Sequence, residues 1–293
     1  MTSFALVVNP TSGKGRSAAA AQVATVGLTA AGHAVERLVG VDGADAERLC
    51  RKAVASGVDA LVAVGGDGMA HLALQACAGT AAALGIVPTG TGNDLATALG
   101  LPMEDPAAST ALLAAGTVRE VDAVRCGKAW WACVLGSGFD AAVNDRANRM
   151  RWPRGRRRYD LAILAELRSY RPVHFVLDVD GLRTEVDAML VAVGNAPSYG
   201  GGMKVCPDAQ LDDGLLDVVV VGPLTRRRFL RLFPRVFAGT HVSDSSVTVL
   251  RGREVRLDGP ATAYADGEPM GSLPLTSTVV PGALRVIGVP PGT

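Results

Sequence analysis

Short apolar runs alternate with helical stretches through the N-terminal third of the chain, and three of these runs end in a glycine-rich segment. The apolar runs lie at 4–8, 34–39, 59–64 and 83–87, and the helical stretches at 17–31, 44–56, 69–78 and 94–99. Strands that are apolar throughout and alternate with helices are typical of a parallel sheet covered on both faces. The sequence therefore predicts an α/β domain with a doubly wound parallel sheet over residues 1–122.

The pattern changes after Asp122, where strand-like segments follow one another closely and several end at an Asp-Gly pair. These pairs are Asp180-Gly181, Asp213-Gly214, Asp258-Gly259 and Asp266-Gly267. Asp-Gly favours hairpins because both central residues of a type I′ turn need positive φ. We therefore expect a mainly antiparallel, β-sandwich-like domain over 123–280, interrupted by helices at 159–170 and 225–238. The last strand, 283–289 within 281–293, is a candidate to return to the first domain.

Composition argues against several classes of protein. The formal net charge of +1 and the aromatic content of 4% do not fit a nucleic-acid-binding surface, so we expect no nucleic-acid partner. The five cysteines include no CxxC pair and the four histidines are scattered, which favours buried, reduced thiols over a zinc site. The N-terminus lacks the features of a signal peptide, and no apolar run reaches the roughly 18 residues of a membrane span. These features predict a cytoplasmic protein.

The glycine-rich segments at 9–15 (NPTSGKG), 65–68 (GGDG) and 88–94 (PTGTGND) each follow a predicted strand. In an open parallel sheet, ligands bind beyond the carboxyl ends of the strands. Glycines there let backbone N–H groups approach phosphate oxygens, and the next helix N-terminus adds partial positive charge. One such turn is commonly only a tight connection, but three at successive strand ends predict a phosphate-binding site. The P-loop pattern GxxxxGK[ST] and the dinucleotide pattern GxGxxG are both absent.

In this order and spacing, the three segments resemble the catalytic domain of diacylglycerol kinases, particularly the bacterial soluble lipid kinases. The resemblance continues in the segments 136–140 (GSGFD), 200–202 (GGG), 206–217 (CPDAQLDDGLLD) and 266–269 (DGEP), and so covers nearly the whole chain. The GGDG turn is shared with NAD kinases and phosphofructokinases, whereas GTGND together with DGLLD and DGE is specific. The resemblance implies an NAD kinase/phosphofructokinase-like first domain and a kinase that uses ATP and Mg²⁺.

The resemblance further implies that residues of all three segments contact the nucleotide, with the first two segments wrapped around the phosphates. The implied contact residues are Asn9, Pro10, Thr11, Ser12, Gly13, Gly65, Gly66, Asp67, Gly68, Met69, Ala70, His71, Thr91, Asn93 and Asp94. Two positions depart from the family pattern. Met69 stands where relatives commonly have threonine, and Gly40 stands where bacterial relatives often have a threonine that contacts the nucleotide.

A catalytic magnesium site is also implied by the resemblance. Asp67 would lie near the ion, and Asp94 and Asp122 match carboxylates of the family's water- and magnesium-linked network. The residues alone leave simpler interpretations open. Asp94 is a favourable first-turn residue for a helix, because its charge interacts well with the helix dipole. Asp122 could equally belong to a turn at the domain boundary.

A second, structural magnesium site is implied in the later part of the chain. The Asp213 carboxylate would bind the ion together with oxygens of Gln210 and Leu215, the latter through its backbone carbonyl. Hard oxygen ligands of this kind suit magnesium. Without the resemblance, Asp213-Gly214 would be interpreted as a hairpin turn.

The segment Asp266-Gly267-Glu268 matches the catalytic segment of the family. Phosphoryl transfer to an alcohol is helped by a group that accepts the hydroxyl proton. Either Asp266 or Glu268 could be this base, and the sequence does not separate them. Glu268 precedes Pro269 in an extended segment and is the slightly favoured candidate, whereas Asp266 could bind magnesium or build the turn.

Arginines concentrate in the second half of the chain, at 146–171 and 226–235. A solvated helix face is one interpretation of these clusters, and a docking surface for anionic phospholipid is the other. A protein that acts on lipid without a membrane span would associate with the membrane only transiently. An exposed edge strand of the second domain would also permit a homodimer.

These features together predict an ATP-dependent lipid kinase that transfers the γ-phosphoryl group to a lipid hydroxyl, most simply from ATP to diacylglycerol in phospholipid biosynthesis. An NAD-kinase-like enzyme acting on a soluble nucleotide would share the GGDG turn but not GTGND or DGLLD. A non-catalytic lipid- or nucleotide-binding regulator would be supported only by Met69 and Gly40. The acceptor stays open among diacylglycerol, monoacylglycerol, ceramide, sphingoid bases and phosphatidylglycerol.

Overall fold

The computed structural model describes residues 1–8, 15–150, 152 and 156–290. The chain divides into two compact units, one of Met1–Ala123, Ala129–Ala132 and Val280–Thr293, the other of Val124–Lys128 and Cys133–Val279. No single point in the sequence separates the two units, because the first unit also includes Ala129–Ala132 and Val280–Thr293. No helix in the described ranges is both long and apolar enough to cross a membrane.

The first unit is built on a parallel sheet. Its first four strands are β1 (Ser3–Val8), β2 (Ala34–Val39), β3 (Ala60–Gly65) and β4 (Ala83–Pro88). They lie in the order β2-β1-β3-β4 with every neighbouring pair parallel. The end of the last strand of the chain, β16 (Leu275–Ile287), continues the sheet in parallel beside β4. All residues of β3 and β4 are buried, as expected of strands covered on both faces.

In the described ranges, five helices cover this sheet. They are α1 (Arg16–Ala30), α2 (Gly43–Ala55), α3 (Asp67–Cys77), α4 (Asp94–Ala98) and α5 (Pro106–Ala115). The connection from β1 to β2 runs one way along the sheet, and the connection from β2 to β3 runs back past β1. Right-handed crossovers then place α1 and α2 on opposite faces. In agreement, α1 packs on α5, and α2 packs on α3. The doubly wound sheet predicted from the sequence is confirmed.

Local sequence explains where two of these helices begin. Asp42 caps α2 by accepting a hydrogen bond from the Asp45 N–H (2.8 Å), and Asp105 caps α5 by accepting one from the Ala108 N–H (2.9 Å). The helix α3 starts differently, because its N-terminal residue Gly66 has no side chain to serve as a cap. That end of α3 therefore keeps its N–H groups for another partner.

One face of the sheet is sealed by the small side chains of α1. The buried cluster on that face contains alternate residues of β1 and β3, four residues of α1 and one of α5: Phe4, Leu6, Val8, Ala60, Val62, Val64, Ala20, Ala21, Ala24, Leu28 and Leu113. Alanines let the helix approach the strands closely. This packing holds the strand ends, and therefore the loops that follow them, in fixed positions.

In the part of the chain that the structure describes, the second unit contains two antiparallel sheets and three helices. One sheet has the order β12 (Val247–Gly252), β11 (Leu216–Val221), β10 (Leu190–Gly194), β7 (Val134–Gly138), β14 (Thr262–Ala265) and β15 (Glu268–Ser272). The other pairs β9 (Leu182–Ala188), β8 (Val173–Val179), β13 (Glu254–Asp258) and the first part of β16. The helices are α6 (Phe139–Arg149), α7 (Arg156–Ser169) and α8 (Arg226–Ala238), with a 3₁₀ turn at Thr240–Ser243. The remaining strands are β5 (Val118–Cys126) and β6 (Ala129–Trp131).

The mainly antiparallel second domain is confirmed, but some local predictions were wrong. The helix α6 was not predicted, because its polar sequence after two glycines looks like a turn and its stability depends on packing against other elements. Asp180-Gly181 and Asp266-Gly267 form hairpins, with positive φ at all four residues. Asp213-Gly214 lies near the end of the long connection between the paired antiparallel strands β10 and β11, so it is not a tight hairpin turn. Asp258-Gly259 lies between β13 and β14, which do not pair with each other. The last strand also begins earlier than predicted, at Leu275.

The cysteines have the state that the sequence predicts. All five are buried and free of disulfides. Burial raises the pKa of Cys50 to about 11 and that of Cys77 to about 12. Because the thiolate is the reactive form, these thiols are expected to be inert near neutral pH.

Candidate active site

The glycine-rich loops follow β1, β3 and β4, next to the point where the sheet reverses its winding order. With the order β2-β1-β3-β4, this switch point lies between β1 and β3, and ligands of doubly wound sheets bind beyond the carboxyl ends of such strands. The segment 65–68 follows β3, and 88–94 follows β4. The predicted contacts at Asn9, Pro10, Thr11, Ser12 and Gly13 follow β1 but lie outside the described residues.

The Asp67 carboxylate joins the second and third loops. One oxygen accepts a hydrogen bond from the Asn93 N–H (2.9 Å), and the other accepts one from the Asp94 N–H (2.7 Å). The carboxylate thereby serves as the cap of α4 from a distant part of the chain, since Asn93 makes no side-chain cap hydrogen bond of its own. Asp67 and Asp94, both predicted site residues, are brought together by this contact.

Glycine is required where the two loops touch. A Cβ added to Gly90 would lie 2.5 Å from the Cα of Gly66, and one added to Gly92 would lie 2.3 Å from Oδ2 of Asp67. Both distances are far inside ordinary van der Waals contact. The backbones of the two loops therefore approach as closely as they do only because these side chains are absent.

The third loop is also fixed from within. Asn93 adopts a left-handed conformation (φ 58°), its Oδ1 accepts from the Gly90 N–H (3.1 Å), and its Nδ2 donates to the Gly90 carbonyl (2.9 Å). Thr89 at the end of β4 shares a buried hydroxyl hydrogen bond of 2.8 Å with Ser17 in the first turn of α1. Neither Ser17 nor Thr89 was among the predicted site residues, although Thr89 lies in the segment 88–94 (PTGTGND). By contrast, the predicted contact residue Thr91 is exposed.

The N-terminus of α3 retains N–H groups for a ligand. The N–H groups of Met69 and Ala70 both donate to the Gly66 carbonyl, and the side chain of Met69 is buried. In the described part of the chain, the N–H groups of Asp67 and Gly68 have no hydrogen-bond partner. Any backbone contact to a phosphate in this turn therefore falls to Asp67 and Gly68 rather than to Met69 or Ala70.

His71 lies one turn further along α3. The Gln75 amide is oriented by Trp130, donating to its carbonyl (2.6 Å) and accepting from its N–H (2.9 Å). Because Gln75 Nε2 can only donate, the His71 Nε2 at 3.2 Å accepts, which leaves the N–H of the ring on Nδ1. This Nδ1 is buried and has no partner among the described residues. His71 thus offers an unused donor, which suits a ligand oxygen.

The departure at Gly40 has a structural reason. A Cβ at this position would lie 2.6 Å from the backbone nitrogen of Ala46, in the first turn of α2. The threonine found in bacterial relatives could be accommodated only if α2 moved away. A side-chain contact to nucleotide from this position is therefore not available in this chain.

The two predicted catalytic carboxylates differ in what they bind. Asp266 lies in the hairpin turn between β14 and β15 with φ 52°, and its Oδ1 accepts from the N–H groups of Cys133 (2.9 Å) and Val134 (3.3 Å). Asp266 therefore fixes the hairpin to the start of β7. Glu268, two residues later, is half-buried and has no hydrogen bond or ion pair to any residue that the structure describes. Of the two, Glu268 has the carboxylate that is not engaged in holding the fold.

The predicted metal ligands do not gather into one cluster. In the described part of the chain, no group of three or more His, Cys, Asp or Glu side chains is close enough to hold a metal ion. Asp122 lies in the middle of β5, not in a boundary turn, and its buried carboxylate accepts from the Gly282 N–H at 2.9 Å. This bond fixes the backbone of β16 at Gly282, where φ is 64°. Of the carboxylates predicted to bind the catalytic magnesium, Asp67 and Asp94 are brought near each other by the bond from the Asp94 N–H.

An arginine neutralises the carboxylate predicted for the structural magnesium site. Arg251 forms an ion pair with Oδ2 of Asp213 and donates through Nε to Oδ1 of Asp217 at 2.5 Å. The other oxygen of Asp213 accepts from the Leu215 N–H (3.0 Å), while Gln210 is exposed. A guanidinium and a backbone N–H therefore satisfy Asp213 without a metal. The residues present fit an arginine clamp better than a magnesium site.

Asp140, in the first turn of α6, was not among the predicted site residues although it lies in the segment GSGFD. Its carboxylate packs against Gly136, where an added Cβ would lie 2.4 Å from Oδ2. Burial raises the pKa of Asp140 to about 6, and hydrogen bonds from Tyr199 and Asn144 partly oppose this rise. The surroundings of Asp140 therefore favour its protonated, neutral form more strongly than is usual for aspartate.

Comparison with known proteins agrees with this architecture. A sequence model of the diacylglycerol kinase catalytic domain matches residues 3–126, and one of the YegS C-terminal NAD kinase beta sandwich-like domain matches residues 133–288. The chain belongs to the diacylglycerol kinase catalytic domain family. It is 43% identical over 288 residues to a protein of Mycobacterium tuberculosis named diacylglycerol kinase, which covers 96% of this chain and 93% of the relative.

Further proteins are similar to this chain along most of its length. A protein of Stenotrophomonas maltophilia named a probable YegS-like lipid kinase is 32% identical over 258 residues, covering 83% of this chain and 82% of its own. A crystal structure of a diacylglycerol kinase from Bacillus anthracis superposes with a TM-score of 0.79 at 24% identity, covering 99% and 97% of the two chains. That structural similarity establishes the shared fold.

The arginine clamp leads to a prediction about stability. Replacement of Arg251 by Ala leaves the Asp217 carboxylate, whose side chain is only 2% exposed, without its cation. We expect the free energy of unfolding to fall by about 2 kcal/mol in urea denaturation, because a buried unpaired charge is costly. The matched control Arg256→Ala removes an exposed pair with Asp258 (3.6 Å) and should cost less than about 0.5 kcal/mol. Equal losses of unfolding free energy in Arg251→Ala and Arg256→Ala would contradict the conclusion that Arg251 compensates a buried charge.

The raised pKa of Asp140 predicts how stability depends on pH. The folded protein holds this proton up to about pH 6, whereas the unfolded chain releases it near 3.8. Between these values stability falls as pH rises, and the cost is complete above the folded pKa. Asp140→Asn removes this cost, so we expect its stability relative to the wild type to be higher at about pH 7.5 than at about pH 4, by up to about 3 kcal/mol.

Thermal unfolding across this pH range measures the effect of Asp140→Asn. Asp208→Asn, which changes an exposed carboxylate, serves as the control and should show no such trend. A difference between Asp140→Asn and wild type that does not vary with pH would show that Asp140 has an ordinary pKa.

Proposed function

We propose that this kinase uses ATP to phosphorylate a lipid hydroxyl, with diacylglycerol as the acceptor and phosphatidic acid as the product. The observation that carries the proposal is the Asp67 carboxylate, which joins the loops after β3 and β4 beside the switch point of the sheet. The acceptor is suggested by the name of the Mycobacterium tuberculosis relative, which aligns along nearly the whole chain. A product of this kind would enter phospholipid biosynthesis.

Nucleotide binding is assigned to the first unit. The N–H groups of Asp67 and Gly68 at the start of α3, which have no partner among the described residues, would donate to phosphate oxygens, assisted by the positive end of the helix dipole. The buried Nδ1 of His71 supplies a further donor on the same helix. Contacts from Asn9–Gly13 and from Thr91 remain predictions from the family resemblance. Lipid binding is assigned to the second unit.

The carboxylates of Asp67 and Asp94 are the proposed protein ligands of a magnesium ion. Mg²⁺ is typically bound by one or two carboxylates together with substrate phosphates and water, and its charge would neutralise the phosphate oxygens. Each Asp67 oxygen accepts one backbone hydrogen bond and keeps further lone pairs, so the residue could hold the ion without releasing α4. Asp122 is proposed only as an indirect support, through its bond to Gly282. No step is assigned to Gln210, Asp213 and Leu215.

Glu268 is proposed as the base. The lipid hydroxyl oxygen would form a bond to the γ-phosphorus while the bond from that phosphorus to the β–γ bridging oxygen breaks, releasing ADP. The proton of the hydroxyl would pass to the Glu268 carboxylate, which has no partner among the described residues. Asp266 would hold the hairpin that positions Glu268, through its bonds to Cys133 and Val134.

Substitution of the two carboxylates separates these roles. We expect Glu268→Gln to reduce kcat by about 10²- to 10⁴-fold with an unchanged melting temperature, because only the base is lost. Asp266→Ala should lower the melting temperature as well as activity, whereas Asp266→Asn, which keeps an acceptor oxygen, should retain the fold. The measurement follows transfer of label from ATP with Mg²⁺ to diacylglycerol in mixed micelles, with NAD as acceptor in a parallel reaction.

The same assay decides between the candidate functions. Label in the lipid phase, lost in Glu268→Gln, supports a lipid kinase with Glu268 as base. Label in NAD would identify an NAD-kinase-like enzyme instead. Normal turnover of Glu268→Gln would disprove the assignment of the base.

A further inference from the structure

The helix α8 exposes an apolar edge to solvent. Its sequence, RRRFLRLFPRVFA, buries Phe229 and Leu232 in the core of the second unit. On the other side, Leu230 is 54% exposed, Phe237 is 39% exposed, and Pro234 is also exposed. The spacing of these three residues puts them on one side of the helix, since residues three or four apart are neighbours on its surface.

Contacts between aromatic rings hold the side chain of Phe237 in place. The ring of Phe229 stacks on that of Phe233 with centroids 5.9 Å apart, and Phe233 meets Phe237 edge-on at the same distance. Phe229 is itself packed against the core residue Phe139 at 4.9 Å. A series of ring contacts that begins in the core therefore holds Phe237 in place. Binding to a partner does not require a loss of conformational entropy to order this side chain.

The arginines of α8 fall into two sets. Arg226 donates to the carbonyl of Arg168, and Arg228 and Arg235 both pair with Asp244. Arg227 and Arg231, one turn apart beside the apolar edge, are exposed and form no ion pair with any described residue. The helix contains no acidic residue. Two uncompensated cations thus lie directly next to the exposed apolar side chains.

We infer that this surface, formed by Arg227, Leu230, Arg231, Pro234 and Phe237 and called here the α8 face, docks on the surface of an anionic phospholipid membrane. Helices that lie in a membrane interface combine an apolar edge, which enters the acyl boundary, with arginines or lysines that meet the headgroups. The positive charge selects anionic over zwitterionic lipid. The inference rests on the proposed function in one respect, namely that a lipid substrate gives the protein a reason to visit a membrane.

Vesicle binding tests the inference without any turnover. The wild-type protein is sedimented with vesicles of phosphatidylcholine alone and with vesicles that also contain phosphatidylglycerol, in the absence of nucleotide. We expect binding only to the mixed vesicles, weakened by salt. Leu230→Ser/Phe237→Ser and Arg227→Glu/Arg231→Glu should each lower the partition coefficient by about tenfold or more, given the usual contributions of buried apolar area and of interfacial basic residues.

Matched controls distinguish the α8 face from general changes in surface. Leu182→Ser/Val249→Ser removes two exposed apolar side chains elsewhere in the same unit, and Arg37→Glu/Lys52→Glu makes the same change of net charge on the first unit. Both controls should bind like the wild type. Equal binding of all variants, or equal binding to both kinds of vesicle, would overturn the inference. So would a wild-type dimer that Leu230→Ser/Phe237→Ser dissociates, because the face would then cover a second copy of the chain.

The kinase assay separates failure of this inference from failure of the proposed function. With a soluble short-chain diacylglycerol and no vesicles, the α8 variants should phosphorylate the substrate at the wild-type rate. Loss of activity of these variants on the soluble substrate would contradict a role confined to docking. If no variant and no wild-type protein phosphorylates any lipid, the proposed function fails, while the vesicle experiment still reports on the α8 face.

Discussion

The candidate nucleotide site depends on two hydrogen bonds made by one carboxylate. Asp67 belongs to the turn after β3, yet it accepts from the backbone of Asn93 and Asp94 after β4 and so begins a helix that has no side-chain cap of its own. The bonds are possible only because Gly66, Gly90 and Gly92 let the two loops touch. The parallel sheet brings the strand ends to one edge, and Asp67 joins two neighbouring loops at that edge. The N–H groups of Asp67 and Gly68 beside this junction have no partner among the described residues.

The features predictable from sequence are those that depend on local pattern. Buried strands such as Ala60–Gly65 are apolar at every position, and helices such as α2 carry both a cap and a periodic apolar face, so the first unit follows from the pattern. The helix α6 was missed because packing rather than local sequence stabilises it. Asp213-Gly214 shows the same limit: the dipeptide favours a hairpin, but the charge of Asp213 is compensated by an arginine distant in sequence, Arg251, which no local pattern reveals.

The same limit applies to the chemistry of the site. The motifs identified four candidate carboxylates of the active site, namely Asp67, Asp94, Asp266 and Glu268. The residue types do not reveal which of these carboxylates are occupied by hydrogen bonds that stabilise the fold. The structure shows Asp266 engaged with two backbone N–H groups, whereas Glu268 has no partner among the described residues. The pKa of Asp140 likewise depends on burial against Gly136, which no motif encodes. Function in this protein rests on contacts between segments that are far apart in sequence.

Nucleotide binding by Gly92→Ala tests this account most directly. The substitution keeps every charge but places a methyl group 2.3 Å from the Asp67 carboxylate, so Asp67 can no longer hold the third loop in its present position. Calorimetric titration with Mg²⁺ and ATP should show binding weakened by at least about tenfold relative to Gly43→Ala, whose added methyl group meets no atom within 4 Å. Wild-type affinity in Gly92→Ala would contradict the claim that the joined loops form the phosphate site.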